Sequence, residues 1–316
     1  MKIVVIPPKD KLDYLAETIV EGLYKNNVEV YSSDLGNGIR QNDVYSDEEI
    51  IKHSKDCDYI FVIWGKIKSG FPGPKYHLLN HINQKDKVVF VDGSEWTSTG
   101  HPIPNQVRDA KQNPLLRRGE PWIDEFMFEN SNWYFKRECY SEDVDRGIIP
   151  LLFGATDRNF FRNEVEKKYD VVCSYGQMND GLRLETYNLC NQLKNEGYNV
   201  ITGGGFSYEE FKEKIKSSWI GVDAWGGGDC CTRLWEVLAN KTMAMTQKYK
   251  IEFPHDFTDG ENIVHYETIE EFEKKIRKYL GDKNEIQRIS ENGYQHLLDY
   301  HTSQKRVEYI LDIINE

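Results

Sequence analysis

The chain has 316 residues, and its net charge of −12 argues against a protein that follows a nucleic-acid backbone, which would need a basic surface. Apolar residues make up 39% and charged residues 29%, a balance typical of globular proteins rather than disordered ones. The length is sufficient for two domains with separate cores. The six cysteines show no CxxC spacing and the sequence shows no signal peptide, so we expect a cytoplasmic protein. We expect no membrane span, because the sequence contains no long apolar run.

Short apolar runs alternate with segments of helical periodicity in the first half of the chain. The runs predict strands at residues 2–6, 28–31, 59–64, 88–91 and 132–138. Helices are predicted from Leu12 to Leu23 and, after a capping box at Ser46, as far as His53. This alternation is typical of a parallel sheet with helices on both faces.

Two carboxylates follow the fourth predicted strand. Ligands of open parallel sheets bind beyond the carboxyl ends of the strands, so we expect Asp92 and Glu95 to face a cleft. There, either carboxylate would be able to accept a proton from an acceptor hydroxyl. The alternative for Asp92 is a structural role in the turn before Gly93.

A second alternating unit begins after a hinge that we place near Pro150–Gly154. Strands are predicted at residues 169–174, 198–202, 220–224 and 243–245, with a long amphipathic helix from Leu182 to Lys194. The chain is thus predicted to form two doubly wound domains, residues 1–152 and 153–300. A C-terminal helix, residues 301–316, is predicted to pack back toward the first domain.

The strand at residues 220–224 leads into three glycines, Gly226, Gly227 and Gly228, and then into a helix that begins at Thr232. Glycine allows close approach of the backbone to a ligand, and a helix N-terminus favours an anion. Asp229 is predicted to cap this helix, and Arg233 to add a cation suited to phosphate. Glu236 lies on the same helix face. From this stretch alone, an ordinary turn with a surface ion pair is the simpler interpretation.

The surrounding segments occur in an order that resembles the C-terminal half of GT-B glycosyltransferases, most closely the group related to spore-maturation glycosyltransferases. The resemblance rests on segments Arg233–Ala239, Asp259–Val264, Glu291–Gly293 and His301–Arg306. It implies two Rossmann-like domains facing across a cleft. It also implies transfer of a sugar from a UDP- or GDP-linked donor, which is a substrate rather than a cofactor.

The resemblance also implies roles for individual residues. Glu236 matches the glutamate that binds the donor ribose, and Arg183 lies where relatives bring a cation to the diphosphate. Many retaining members carry a second glutamate at the position that is Gly228 here, which leaves a retaining or inverting mechanism open. The acidic segment Asp143–Asp145 has DxD spacing but no preceding apolar strand, so we predict no metal site and a metal-independent reaction.

Alternatives remain at this point. A sugar-nucleotide epimerase has the same fold, and a two-domain protein that binds a small ligand without turnover would be a non-enzymatic alternative. The acceptor of a transferase stays open among a glycan, a lipid carrier, a protein and a modified base. The negative net charge disfavours DNA, although four basic residues would form a local rim: Arg117, Arg118, Lys136 and Arg137.

Overall fold

The computed structural model describes residues 1–9, 13–64, 73–82, 84–94, 123–175, 181–226 and 228–316. Within these ranges the chain forms two parallel sheets. The first sheet has the strand order β2-β1-β3-β4-β5-β6. Its strands are β1 (Lys2–Ile6), β2 (Glu29–Ser32), β3 (Tyr59–Trp64), β4 (Val88–Asp92), β5 (Trp133–Lys136) and β6 (Ile149–Pro150).

Helices cover both faces of the first sheet: α1 (Tyr14–Lys25), α2 (Asp47–Asp56), α3 (Glu125–Asn130) and α4 (Ser141–Val144). Alternation along β1 sends Ile3 and Val5 into one apolar cluster, and Val4 and Ile6 into another on the opposite face. The predicted capping box of α2 is confirmed, because Ser46 and Glu49 each bind the other's backbone N–H.

The second sheet has the strand order β11-β10-β9-β7-β8. Its strands are β7 (Tyr169–Cys173), β8 (Val200–Thr202), β9 (Ser218–Asp223), β10 (Met243–Gln247) and β11 (Val264–Tyr266). The associated helices are α5 (Leu182–Asn195), α6 (Tyr208–Lys216), α7 (Thr232–Ala239), α8 (Ile269–Leu280) and α9 (Lys283–Tyr300). The expectation of two doubly wound parallel sheets is confirmed.

The last helix, α10 (Ser303–Asn315), lies against α1 of the first domain. The two helices are in close contact, because a Cβ built on Gly22 would lie less than 3.0 Å from the backbone oxygen of Ser303. Tyr59 on β3 donates a hydrogen bond of 3.0 Å to the carbonyl of Ile314. One apolar cluster therefore continues from the first sheet through residues 151–155 to the helices of the second domain. The predicted domain limits at residues 152 and 300 stay predictions.

Two sequence expectations need correction. The strand predicted at residues 132–138 ends at Lys136, because the following residues turn toward the second domain. The acidic residues 141–145, which the sequence suggested to be a solvated linker, instead include helix α4, where Asp143 is fully buried and accepts a hydrogen bond of 2.9 Å from the backbone N–H of Tyr140. Among the described helices, none combines the length and apolar character needed to cross a membrane.

Candidate functional site

The strand order of the second sheet brings the carboxyl ends of β7 and β9 side by side. The chain continues from β7 to an outer strand on one side and from β9 to outer strands on the other, which makes this the switch point of the sheet. Ligands of open α/β sheets bind in the crevice at such a point. Helix α5 begins here after Gly181, and helix α7 after Cys231, neither with a side-chain cap. Their first N–H groups make the region favourable for an anion.

Two arginines are anchored to the ends of these strands. Arg183, at the start of α5, donates from Nη2 to the carbonyl of Ala224 at 2.8 Å, and its guanidinium carbon lies 4.8 Å from the centroid of the Tyr175 ring. Arg233, in the first turn of α7, donates from Nη1 to the carbonyl of Ser174. Both cations are thus held at the switch point, on opposite sides of it.

Glu236 accepts a hydrogen bond of 3.1 Å from Nε of Arg233. The carboxylate side chain is only 9% exposed and that of Arg233 16%, so this ion pair is largely enclosed. A pair of the same spacing on α9, Arg288 with Glu285, has exposures of 46% and 31%. The structure therefore brings Arg183, Arg233 and Glu236 together at the predicted end of the sheet, and the ordinary surface pair that the sequence allowed is wrong.

Asp223, the last residue of β9, is 1% exposed and lies within electrostatic range of both arginines. Neither carboxylate oxygen has a hydrogen-bond partner in the described part of the chain. Burial raises the pKa of Asp223 to about 6, although the positive charges of Arg183 and Arg233 act in the opposite direction. A buried carboxylate without hydrogen bonds is costly, which is typical of a group whose partner is a ligand.

In the predicted anion cradle, the N–H of Gly226 and the N–H groups of Trp225 and Asp229 on either side of the glycines are already used within the protein. The N–H of Gly226 donates to the carbonyl of Gly228 at 3.0 Å, and that of Trp225 to the side chain of Gln247 at 3.3 Å. The N–H of Asp229 donates to Glu138 of the first domain at 2.9 Å. Since the protein itself uses these three N–H groups, they are not open to a diphosphate.

The predicted capping role of Asp229 is also wrong. The residue before α7 is Cys231, and it makes no side-chain capping bond. Asp229 is instead fully buried and accepts a hydrogen bond of 2.7 Å from the backbone N–H of Lys250. Burial raises the pKa of Asp229 to about 6. Thr232 is the first residue of α7, as predicted, and is half-buried.

Asp92 does not face a cleft, contrary to expectation. It is fully buried and accepts hydrogen bonds of 2.8 Å from Tyr134, Lys136 and the backbone N–H of Ser94. With both oxygens occupied and no exposed surface, Asp92 has the structural role that its place before Gly93 allowed. The predicted base at this position is therefore wrong. Glu95 and Gly227 lie outside the described residues.

Sequence reasoning missed two carboxylates, Asp223 and Glu138. Asp223 carried a usable signal, because it ends an apolar strand that leads into a glycine turn. Glu138 carried none, since its importance depends on which turn of the other domain it contacts. No three His, Cys, Asp or Glu side chains in the described ranges form a group suited to a metal ion.

One family model matches the second half of the chain. Residues 161–312 match the family model described as glycosyl transferase-like. A search among curated proteins found no match. The matched range contains the whole of the second sheet together with Arg183, Asp223, Arg233 and Glu236.

Solved structures share the fold over the whole chain. An alpha-glucosyltransferase in complex with UDP-glucose and DNA containing an abasic site is 13% identical, with full coverage of both chains and a TM-score of 0.56. Sucrose-phosphate synthase from Thermosynechococcus elongatus is 9% identical, with coverage of 100% and 98% and a TM-score of 0.53. A putative UDP-N-acetylglucosamine 2-epimerase from Listeria monocytogenes is 9% identical, with coverage of 98% and 94% and a TM-score of 0.50. At these identities the likeness shows the GT-B fold alone.

Proposed function

We propose that this chain transfers a sugar from a UDP- or GDP-linked donor to an acceptor without the help of a metal ion. The chain is a glycosyltransferase of GT-B fold, and its residues 161–312 match the glycosyl transferase-like family model. One observation carries the proposal: Arg183 and Arg233 are held on opposite sides of the switch point of the second sheet, next to an enclosed glutamate. Two fixed cations at the start of two helices suit a diphosphate.

In this arrangement the diphosphate lies between the first turns of α5 and α7, rather than on the backbone of the glycine turn. The two arginines neutralise the charge that develops on the leaving nucleoside diphosphate. Glu236, one turn further along α7, accepts from the ribose hydroxyls, as the family resemblance implies. Asp223 lies deeper, at the end of β9, within reach of both cations' electrostatic influence.

The test is a calorimetric titration with UDP, GDP and their sugar conjugates. Glu236→Ala removes a charge-assisted hydrogen bond of about 1.5–3 kcal/mol and should weaken donor binding by about tenfold to a hundredfold. A 2′,3′-dideoxy nucleotide should bind the native protein and this variant alike. Arg233→Ala should weaken a nucleoside diphosphate far more than a nucleoside.

The matched control is the exposed pair Arg288 and Glu285, which has the same i, i+3 spacing on α9. Alanine at either position should leave donor binding unchanged. If no sugar nucleotide binds the native protein at millimolar concentration, or if the Arg233 and control variants behave alike, the proposed donor site is refuted.

Metal independence is tested separately, by assaying transfer in EDTA with and without added Mg²⁺ or Mn²⁺. The proposal assigns charge neutralisation to the two arginines, so EDTA should leave the rate unchanged. A rate that vanishes in EDTA and returns with either cation would contradict this assignment.

An epimerase is the second candidate, because the similar structures include a putative UDP-N-acetylglucosamine 2-epimerase. The two activities differ in their need for an acceptor. A transferase leaves the sugar of the donor unchanged when no acceptor is present, except for slow hydrolysis. Conversion of the free sugar nucleotide into its epimer, followed by chromatography, would favour the second candidate.

A DNA acceptor has less support once the positions of the predicted basic residues are known than it had from the sequence alone. One similar structure is an alpha-glucosyltransferase with a DNA that contains an HMU base, and it shares the fold with 13% identity. In the present chain, Lys136 is fully buried against Asp92, and Arg137 is 5% exposed. These two residues therefore cannot form the predicted basic rim, and Arg117 and Arg118 lie outside the described residues. We propose that the acceptor is not DNA.

A further inference from the structure

Residues 137–139 leave the end of β5 and contact the second domain at three points. Arg137 donates from Nη2 to the carbonyl of Cys230 at 2.7 Å, and Glu138 accepts from the N–H of Asp229 at 2.9 Å. The carbonyl of Cys139 accepts from the N–H of Glu252 at 2.7 Å. Arg137 is 5% exposed, and Glu138 and Cys139 are fully buried. This segment is therefore a packed junction between the two domains.

The carboxylate of Glu138 occupies the space in which a side chain at position 228 would lie. A Cβ built on Gly228 would lie 3.0 Å or less from the carboxyl carbon and both oxygens of Glu138. A side chain at position 228 would therefore displace the carboxylate of Glu138.

The turn that Glu138 holds leads directly into the donor site. Asp229 gives its N–H to Glu138 and accepts from Lys250 with its own carboxylate, so the turn is fixed from both domains. Helix α7 begins at Thr232, and Arg233 follows at once. A displacement of the turn would therefore be passed to the first turn of α7.

We propose that Glu138 is a positioning residue, which couples the first domain to donor binding by holding the turn 228–230 from across the domain boundary. The inference rests on the proposed donor site. The carboxylate does not touch the donor; it acts on Arg233 and Glu236 through the backbone that precedes them. Its negative charge is balanced by Arg137, whose Nε lies 3.2 Å from Oε1 of Glu138.

The experiment is a double-mutant cycle of Gly228→Ala and Glu138→Ala, with donor affinity, kcat and unfolding free energy measured for all four proteins. Gly228→Ala alone should lower kcat/KM by about a hundredfold, since small displacements of a site have effects of that size. Glu138→Ala alone should lower it by about tenfold, through looser positioning of the turn. In the double variant, the added methyl group meets no carboxylate, so it should lower kcat/KM by less than about twofold beyond Glu138→Ala.

Glu138→Gln provides the conservative control, because its amide oxygen still accepts from the N–H of Asp229. It should retain most of the donor affinity that Glu138→Ala loses. A structural role alone would lower the unfolding free energy while leaving kcat and donor affinity of the folded protein intact. Additive effects of the two alanine substitutions, or native donor affinity in Glu138→Ala, would overturn the inference.

The outcomes also separate this inference from the proposed function. If the native protein binds no sugar nucleotide, the proposed donor site fails, whereas coupling in the unfolding free energies still reports the contact between Glu138 and Gly228. If the native protein binds donor and Gly228→Ala binds it equally well, the positioning role alone fails.

Discussion

Substitution of Asp223 by asparagine tests whether the charged carboxylate at the switch point lowers the unfolding free energy of the protein. Asparagine has nearly the same shape and carries no charge. Burial raises the pKa of Asp223 from 3.8 to about 6, so the folded state binds its proton more tightly than the unfolded state does. The contribution of Asp223 to stability is therefore greatest below the unfolded pKa and is lost as the pH rises through about 6.

The expected size follows from the shift. About two pKa units correspond to about 3 kcal/mol in total. Between pH 4.5 and pH 7.5 about 2 kcal/mol of this should be lost in the native protein and not in Asp223→Asn. Urea unfolding of both proteins at both pH values gives the difference directly, since all other titrating groups are shared.

The asparagine variant should thus gain about 2 kcal/mol relative to the native protein on going from pH 4.5 to pH 7.5. We also expect slower glycosyl transfer, because a destabilising carboxylate at a binding site is typical of a functional group. Asp312→Asn, at an exposed position of α10, is the control and should change stability by less than about 0.5 kcal/mol. Parallel pH profiles for the native protein and Asp223→Asn would refute the reasoning.

The remaining predictions concern packing, buried charge and the acceptor. Gly22→Ala should lower the unfolding free energy by about 1–3 kcal/mol, since the methyl group would meet the backbone of Ser303, whereas Gly204→Ala, with no atom within 4 Å, should not. Lys136→Met should lower the unfolding free energy by about 3–5 kcal/mol, because it leaves the buried carboxylate of Asp92 without its cation; urea unfolding checks both. Transfer to DNA with a modified base should be absent at physiological salt; radiolabel incorporation that falls steeply with added salt would reverse the acceptor proposal.

The strands were predictable because their signal is local. Parallel strands buried on both faces are short and apolar, as in Tyr59–Trp64, where prediction and structure agree at both ends. Capping boxes are equally local, and that of Ser46 and Glu49 formed as predicted. The end of β5 was misjudged because residues 137–138 are strand-like in sequence but bind the other domain.

The site was predictable only where its residues share a helix or follow a strand. Arg233 and Glu236 lie three positions apart on α7, so their pairing followed from helix geometry. Asp229 and Asp92 were misassigned for one common reason. Asp229 has the sequence position of a helix cap, but it accepts a hydrogen bond from the backbone of Lys250. Asp92 has the sequence position of a cleft residue, but it is paired with the side chain of Lys136. Such partners depend on tertiary packing, which no local pattern encodes.

Buried charged groups lie at the carboxyl edges of both sheets. The first sheet holds Lys136 against Asp92 there, and the second holds Asp223 beside Arg183 and Arg233. Charges removed from water stabilise a fold poorly, even when paired. In the first sheet the pair is complete and therefore inert toward a substrate. In the second, neither carboxylate oxygen of Asp223 has a hydrogen-bond partner in the described part of the chain. The proposed donor site thus lies at the edge where the buried charge is incompletely hydrogen-bonded, as is typical of groups that meet a ligand.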